Sequence, residues 1–242
     1  MPDQLAPIRG ILFDIDGTLF DTPASMLAAA RASLIDDVPD ERAGVGAAMW
    51  LADEQRRYEA YLAGQLTFVE QRTMRVGDVF RGLGLAEPDV ERSARWLANY
   101  REAQLRTTIA FDDVTDCLRA CAGLAMGAVT NNDGEWQRTR IKHAGLDEWI
   151  GPVLGIDDVG APKPDPRIFH AGCAALGLEP AQVAYVGDDL RLDAHAAAAA
   201  GLYGIWLDRL GAGPAPEDVA RITTLREVPE CVARFGSRPG VR

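Results

Sequence analysis

The chain has 242 residues, of which 48% are hydrophobic, 25% charged and 7% aromatic; this is the balance of a globular protein and excludes disorder as the main state. Thirty-six acidic against 25 basic residues give a formal net charge of −11, so the surface repels phosphate backbones and argues against general nucleic-acid binding. Residues Met1 to Arg9 lack the apolar stretch of a leader, and no window approaches the roughly 18 uninterrupted apolar residues of a membrane span; the expected location is cytoplasmic, with no membrane partner. The four cysteines, Cys117, Cys121, Cys173 and Cys231, lack the paired short spacings of a zinc site and read as reduced, packed thiols. Of the 25 basic residues only Lys142 and Lys163 are lysines.

In chain order, Ile8 to Phe13 is a short apolar run that ends abruptly at Asp14, the pattern of a buried strand meeting a polar loop. Residues 22–106 then change character. They are rich in Ala, Leu, Arg and Glu, carry no convincing strand, and are punctuated at Val38-Pro39-Asp40, Gly64 to Thr67 and Gly82 to Pro88, which predicts about four helices. Beyond them, Met126 to Thr130, Val153 to Ile156, Val183 to Val186 and Leu202 to Leu207 read as strands. The stretches Asp113 to Ala122, Glu135 to Ala144, Pro166 to Leu176 and Asp193 to Ala200 read as helices followed by glycine. Alternation of this kind predicts an α/β fold with a doubly wound, Rossmann-like parallel sheet, residues 1–21 and 107–242 forming the core and residues 22–106 an inserted all-helical cap domain. Ligands of open parallel sheets sit beyond the carboxyl ends of the strands, so an insertion after the first strand is expected to act as a lid, hinged near Phe20 to Pro23 and Thr107 to Phe111.

Four strand-end segments carry the chemistry. Asp14 and Asp16 lie on either side of Ile15, with a turn at Gly17; two carboxylates pointed into one crevice repel each other unless a cation joins them. Asp188 at another strand end, with Asp189 or Asp193 behind it, completes an all-oxygen set suited to Mg2+ and not to zinc. Thr130 ends a strand with a hydroxyl, followed by amides that suit an anion nest. Lys163 stands between Pro162 and Pro164, clamped in a chain that otherwise uses arginine; a compact ammonium there suits a site where phosphoryl group and carboxylates both need neutralising. A carboxylate nucleophile, a second carboxylate, a hydroxyl, a lysine and a hard metal fit phosphoryl transfer through an aspartyl-phosphate intermediate.

These motifs, Asp14-Ile15-Asp16-Gly17-Thr18, Thr130, Lys163-Pro164 and Gly187-Asp188 with Asp193 following, resemble in order and spacing the haloacid dehalogenase superfamily of phosphohydrolases, and the resemblance covers nearly the whole chain. It implies that Asp14 is the nucleophile and that Asp16 protonates the leaving oxygen and then activates water. It implies further that Thr130 and the amide of Asn131 bind phosphoryl oxygens and that Lys163 holds nucleophile and phosphate together. Mg2+ would rest on the Asp14 carboxylate, the Asp16 backbone carbonyl and the Asp188 carboxylate, with Asp189 or Asp193 in support. Dehalogenating members lack the second aspartate, and phosphonate-cleaving members use a cap lysine; this chain has Asp16 and no lysine in 22–106. The expected activity is therefore Mg2+-dependent hydrolysis of a small phosphorylated metabolite. A sugar-phosphate mutase and a catalytically silent binding protein of the same fold remain as alternatives; a phosphorelay receiver domain disagrees in length, in the strand bearing its acceptor and in lacking a cap. In the cap, Arg72 and Arg75 share a helical face and read as a solvated pair matched to acids such as Glu70, while Trp50, Tyr58 and Tyr61 read as core.

Overall fold

The computed structural model describes residues 7–211, 213 and 216–235. The chain divides into two compact units, one comprising residues 21–109 and the other the residues up to Phe20 together with those from Ala110 onward. The outer ends assigned to the core from sequence, residues 1–6 and 236–242, lie outside the described residues.

The second of these units is built on a six-stranded parallel sheet in the order β3-β2-β1-β4-β5-β6. Its strands are β1 (Gly10–Phe13), β2 (Ala125–Val129), β3 (Val153–Leu154), β4 (Val183–Gly187), β5 (Tyr203–Leu207) and β6 (Ala220–Ile222). This is the doubly wound order whose direction reverses beside β1, and open sheets of this order bind ligands at that point, beyond the strands' carboxyl ends. Side-chain alternation assigns the two faces. Ile11, Phe13, Met126, Ala128, Ala184 and Val186 point into one apolar cluster with α6 (Val114–Ala120), Ile141 of α7 (Gly134–His143) and Val228 and Val232 of α11 (Val228–Phe235). Leu12, Val129, Val183 and Tyr185 point into the other, with Ile168, Phe169 and Cys173 of α9 (Pro166–Leu176) and Ala196 and Ala197 of α10 (Ala196–Ala199).

Several elements of this unit differ from the sequence reading: α8 (Ile156–Val159) and α11 stand where no helix was read, α8 beginning at the residue read as the end of β3. The helix expected from Asp193 begins at Leu190 as a π-helical turn, Leu190–His195, because the Asp189 carboxylate caps the amides of Arg191 and Leu192 and pulls the start back. The short strand β6 was not expected at all; a three-residue edge strand with Arg221 at its centre carries no apolar run.

The helical unit contains α1 (Thr22–Leu34), α2 (Asp40–Ala52), α3 (Arg57–Leu62), α4 (Phe68–Gly82) and α5 (Val90–Thr107), so five helices stand where about four were read, the extra one being the six-residue α3. Helix α4 starts with a reciprocal capping box between Thr67 and Glu70. The centre of the helical unit is an aromatic stack between α2 and α5, Trp50 against Trp96 and Tyr100 at 4.9 Å and Trp96 parallel to Tyr100 at 5.5 Å. Arg72 and Arg75 are buried, which corrects the expectation of a solvated pair. The Arg75 guanidinium lies 4.3 Å over Trp50 and donates to its carbonyl oxygen, and Arg72 lies 4.4 Å over Phe68, because stacking on aromatic faces desolvates a guanidinium at little cost. Glu70 is spent on the helix cap.

Candidate active site

The register sets the ends of β1, β2 and β4 side by side, since Phe13 pairs with both Ala128 and Val186 and the Asp14 amide donates to the Val186 carbonyl at 2.8 Å. Asp14, Thr130 and Asp188, each one residue past its strand, thereby meet at the carboxyl edge beside the switch point. Lys163 enters from the loop before α9. The Asn131 side chain holds that loop by accepting from the Lys163 amide at 2.6 Å and donating to the Lys163 carbonyl at 3.1 Å.

All three ammonium donors of Lys163 are used: Asp14 Oδ1 at 2.7 Å, Asp193 Oδ1 at 2.6 Å and the Tyr185 hydroxyl oxygen at 3.1 Å, the last in turn donating to the Val129 carbonyl at 3.0 Å. Lys163, Asp14 and Asp193 are buried. Burial by itself would lower the Lys163 ammonium, but Asp14 and Asp193 outweigh it and hold it well above its ordinary range, fully charged. Burial raises the Asp14 carboxyl, against the pull of Lys163. Asp188, whose side chain reaches solvent, is raised to about 6 by the partial desolvation at its inner side, with the Asp193 charge adding to it. Asp14 Oδ2 is buried with no hydrogen-bond partner.

Carboxylate oxygens of Asp14, Asp188 and Asp193 lie within 4.8 Å of one another, an all-oxygen group of the size that holds a cation. Of the two supporting acids left open by the sequence, Asp193 joins this group and Asp189 is engaged as a helix cap. Gly17, at φ +91°, makes room for it: a Cβ there would stand 2.2 Å from Asp188 Oδ2.

The Asp16 side chain turns toward α7. Its Oδ1 accepts from Arg140 at 2.5 Å, and its Oδ2 from Gln137 at 2.5 Å and Asn132 at 3.2 Å. The Thr130 hydroxyl accepts from the Asn132 amide at 3.2 Å and faces the Gln137 amide at 3.5 Å. Sequence reasoning missed Tyr185, Gln137 and Arg140. Tyr185 sits inside an apolar strand, and Gln137 and Arg140 share the buried face of α7 with Trp136 and Ile141, so the signal was two polar residues three apart on an apolar stripe. Arg209, also unforeseen, lies 3.8 Å over Phe111, pairs with buried Asp113 at 2.9 Å and donates to the Thr18 carbonyl at 2.8 Å, bracing the loop after β1.

Residues 8–201 match the family described as haloacid dehalogenase-like hydrolase. The chain is 31% identical over 187 residues, 76% of its length and 75% of the relative's, to an N-acetylmuramic acid 6-phosphate phosphatase of Pseudomonas aeruginosa. It is 29% identical over 212 residues, 82% and 81% of the two lengths, to a phosphoglycolate phosphatase of Salmonella typhimurium. In structure it resembles a magnesium-bound hydrolase of Bacillus subtilis, with a TM-score of 0.76 at 20% identity over 94% of this chain and 100% of that one. Sequence motifs, strand order and the extent of the match agree, and the chain belongs to the haloacid dehalogenase-like hydrolases.

Proposed function

We propose that the chain hydrolyses a small phosphomonoester by way of a phosphorylated Asp14. The observation that carries this reading is the split environment of the Asp14 carboxylate. One oxygen is fixed by Lys163, and the other is buried without a hydrogen-bond partner at the carboxyl edge of the sheet, beside the switch point. The Asp14 Oδ2 lone pair attacks phosphorus in line, and the bond to the leaving oxygen breaks as Asp16, which enters the step as the carboxylic acid, gives that oxygen its proton. Asp16 then takes a proton from water, whose oxygen displaces Asp14 and releases inorganic phosphate. Thr130 and the amide of Asn131 receive phosphoryl oxygens, and Lys163 neutralises charge beside them. Asp14, Asp188 and Asp193, with the Asp16 carbonyl, suit Mg2+ in the all-oxygen donor type they offer, and the carboxylate oxygens of the three aspartates lie close enough together to share one ion. Bound there, the ion would screen the negative charge shared by nucleophile and phosphoryl group. The helical unit, inserted in the chain between β1 and β2, takes the role of cap in this reading.

The two relatives act, by their names, on phosphomonoesters that also carry a carboxylate, which makes that class the first to assay. Phosphate release is measured from phosphoglycolate, N-acetylmuramic acid 6-phosphate, hexose phosphates and an aryl phosphate, with Mg2+ or with chelator, for wild type and Asp14→Asn. Turnover that needs Mg2+ and disappears in Asp14→Asn is expected; no release from any ester by folded, Mg2+-supplied wild type overturns the reading.

A further inference from the structure

Resting on the reading of Asp16 as the group that protonates the leaving oxygen, we infer that Gln137 and Arg140 form a clamp that orients the Asp16 carboxylate for that transfer, acting as positioning residues for the reaction at Asp14. The contacts close a triangle. Gln137 Nε2 donates to Asp16 Oδ2 at 2.5 Å, Arg140 donates to Asp16 Oδ1 at 2.5 Å, and the same arginine nitrogen donates to Gln137 Oε1 at 2.9 Å. Both ends of the glutamine amide are therefore engaged, and its orientation is set by Arg140 and not by solvent. Gln137 and Arg140 are fully buried, whereas the Asp16 side chain keeps 26% exposure.

The guanidinium plane is fixed in turn, lying 4.7 Å over the Phe20 ring. An ion pair serving only to fasten α7 to the β1 loop needs neither the amide between the two charges nor a partner that reaches solvent. Burying a guanidinium and an amide is costly unless every contact is made, and here they converge on one partly exposed carboxylate in the loop after β1. The 3.5 Å approach of Gln137 to the Thr130 hydroxyl ties the same amide to the side of the site that would receive phosphoryl oxygens. A proton donor must stand within hydrogen-bond reach of the leaving oxygen, so a carboxylate free to rotate about χ1 would lose part of its effect without any change in substrate binding.

The test uses two esters. Nitrophenolate departs without a proton, while an alkoxide does not, so a fault in proton delivery falls on the alkyl ester alone. For Gln137→Leu and for Arg140→Lys, which keeps the charge but lacks the planar fork, kcat/KM on an alkyl phosphate is expected to fall about tenfold or more, and on p-nitrophenyl phosphate less than about threefold, with KM little changed. In an Asp16→Asn background, Gln137→Leu should produce no additional loss on the alkyl ester. Equal falls on both esters, or an undiminished loss in the Asp16→Asn background, would show a merely structural role and overturn the clamp while leaving the phosphatase reading intact. Asp16→Asn failing to discriminate between the esters, or wild type hydrolysing neither, overturns the reading of Asp16 and the clamp with it.

Discussion

At the residue scale, the Lys163 ammonium is the cation that allows two buried carboxylates to coexist. Replacing it by methionine keeps the stem and leaves Asp14 and Asp193 facing each other in a site closed to solvent. Removing one partner of a buried ion pair costs about 3–5 kcal/mol, so Lys163→Met in chelator is expected to lose that much stability near neutral pH in urea unfolding. The sign of its pH dependence follows. Burial already raises the Asp14 carboxyl against the pull of Lys163, and with the ammonium gone it lies further above its unfolded value, so the deficit is smallest below that unfolded value and grows as pH rises through the folded one. Asp113 behaves in the opposite sense. Burial would raise its carboxyl, but the Arg209 guanidinium, the Thr224 hydroxyl and the Leu225 amide outweigh it and hold the group below its ordinary value. Its stabilisation is present above the unfolded value and is lost as pH falls through the folded one. Asp113→Asn should therefore lower the melting temperature at pH 7 and flatten its fall below about pH 4 relative to wild type.

At the element scale, the sheet tolerates its helices only through a few close approaches. In β5, Gly204 lies under the backbone of the π-helical turn, and a Cβ there would meet the Ala194 carbonyl oxygen at 2.2 Å. Backbone cannot rotate out of the way, so Gly204→Ala is expected to destabilise the protein by about 1–3 kcal/mol, measured by urea unfolding. Because that turn carries Asp193 to Lys163, phosphate release should fall in the same variant. Gly17→Ala is a different case. Its positive φ and the 2.2 Å approach to Asp188 place the fault in the carboxylate group, so activity should fall by far more than melting temperature, as phosphate release and a thermal scan on one preparation would show.

At the scale of the whole molecule, each of the two units has its own apolar centre. The cluster of Trp50, Phe80, Trp96 and Tyr100 is drawn entirely from residues 21–109, and the clusters on the two faces of the sheet entirely from the rest. Local stability is then expected to follow the unit. Truncating Trp50, whose ring stacks on Trp96 and Tyr100 and carries Arg75, removes about 3–5 kcal/mol of packing. Trp50→Ala should accelerate amide hydrogen exchange throughout peptides from 22–107 while peptides from β1, β2 and β4 keep wild-type protection.

Fold class and most of the strands were legible because a strand buried on both faces must be an apolar run, and a helix packed on a sheet must repeat its apolar residues and stop at a capping signal. The sequence also singled out Asp14, Asp16, Thr130 and Asp188, which stand at or just past the carboxyl end of such a run, and Lys163, a rare lysine clamped between two prolines. What it did not contain was the direction of each side chain. Whether Asp189 or Asp193 faces Lys163 depends on a π-helical turn that local propensity does not encode. That Arg72 and Arg75 lie buried on aromatic rings depends on helices α2 and α5 supplying those rings from distant positions in the chain. The same holds for Gln137 and Arg140, polar residues on a buried helical face whose partner is more than 120 positions earlier. Sequence by itself determined the fold class and the chemical types at the strand ends, because burial and backbone geometry act locally; only the tertiary structure decided which charges meet, because the partner that compensates a buried charge is found by packing and not by proximity along the chain.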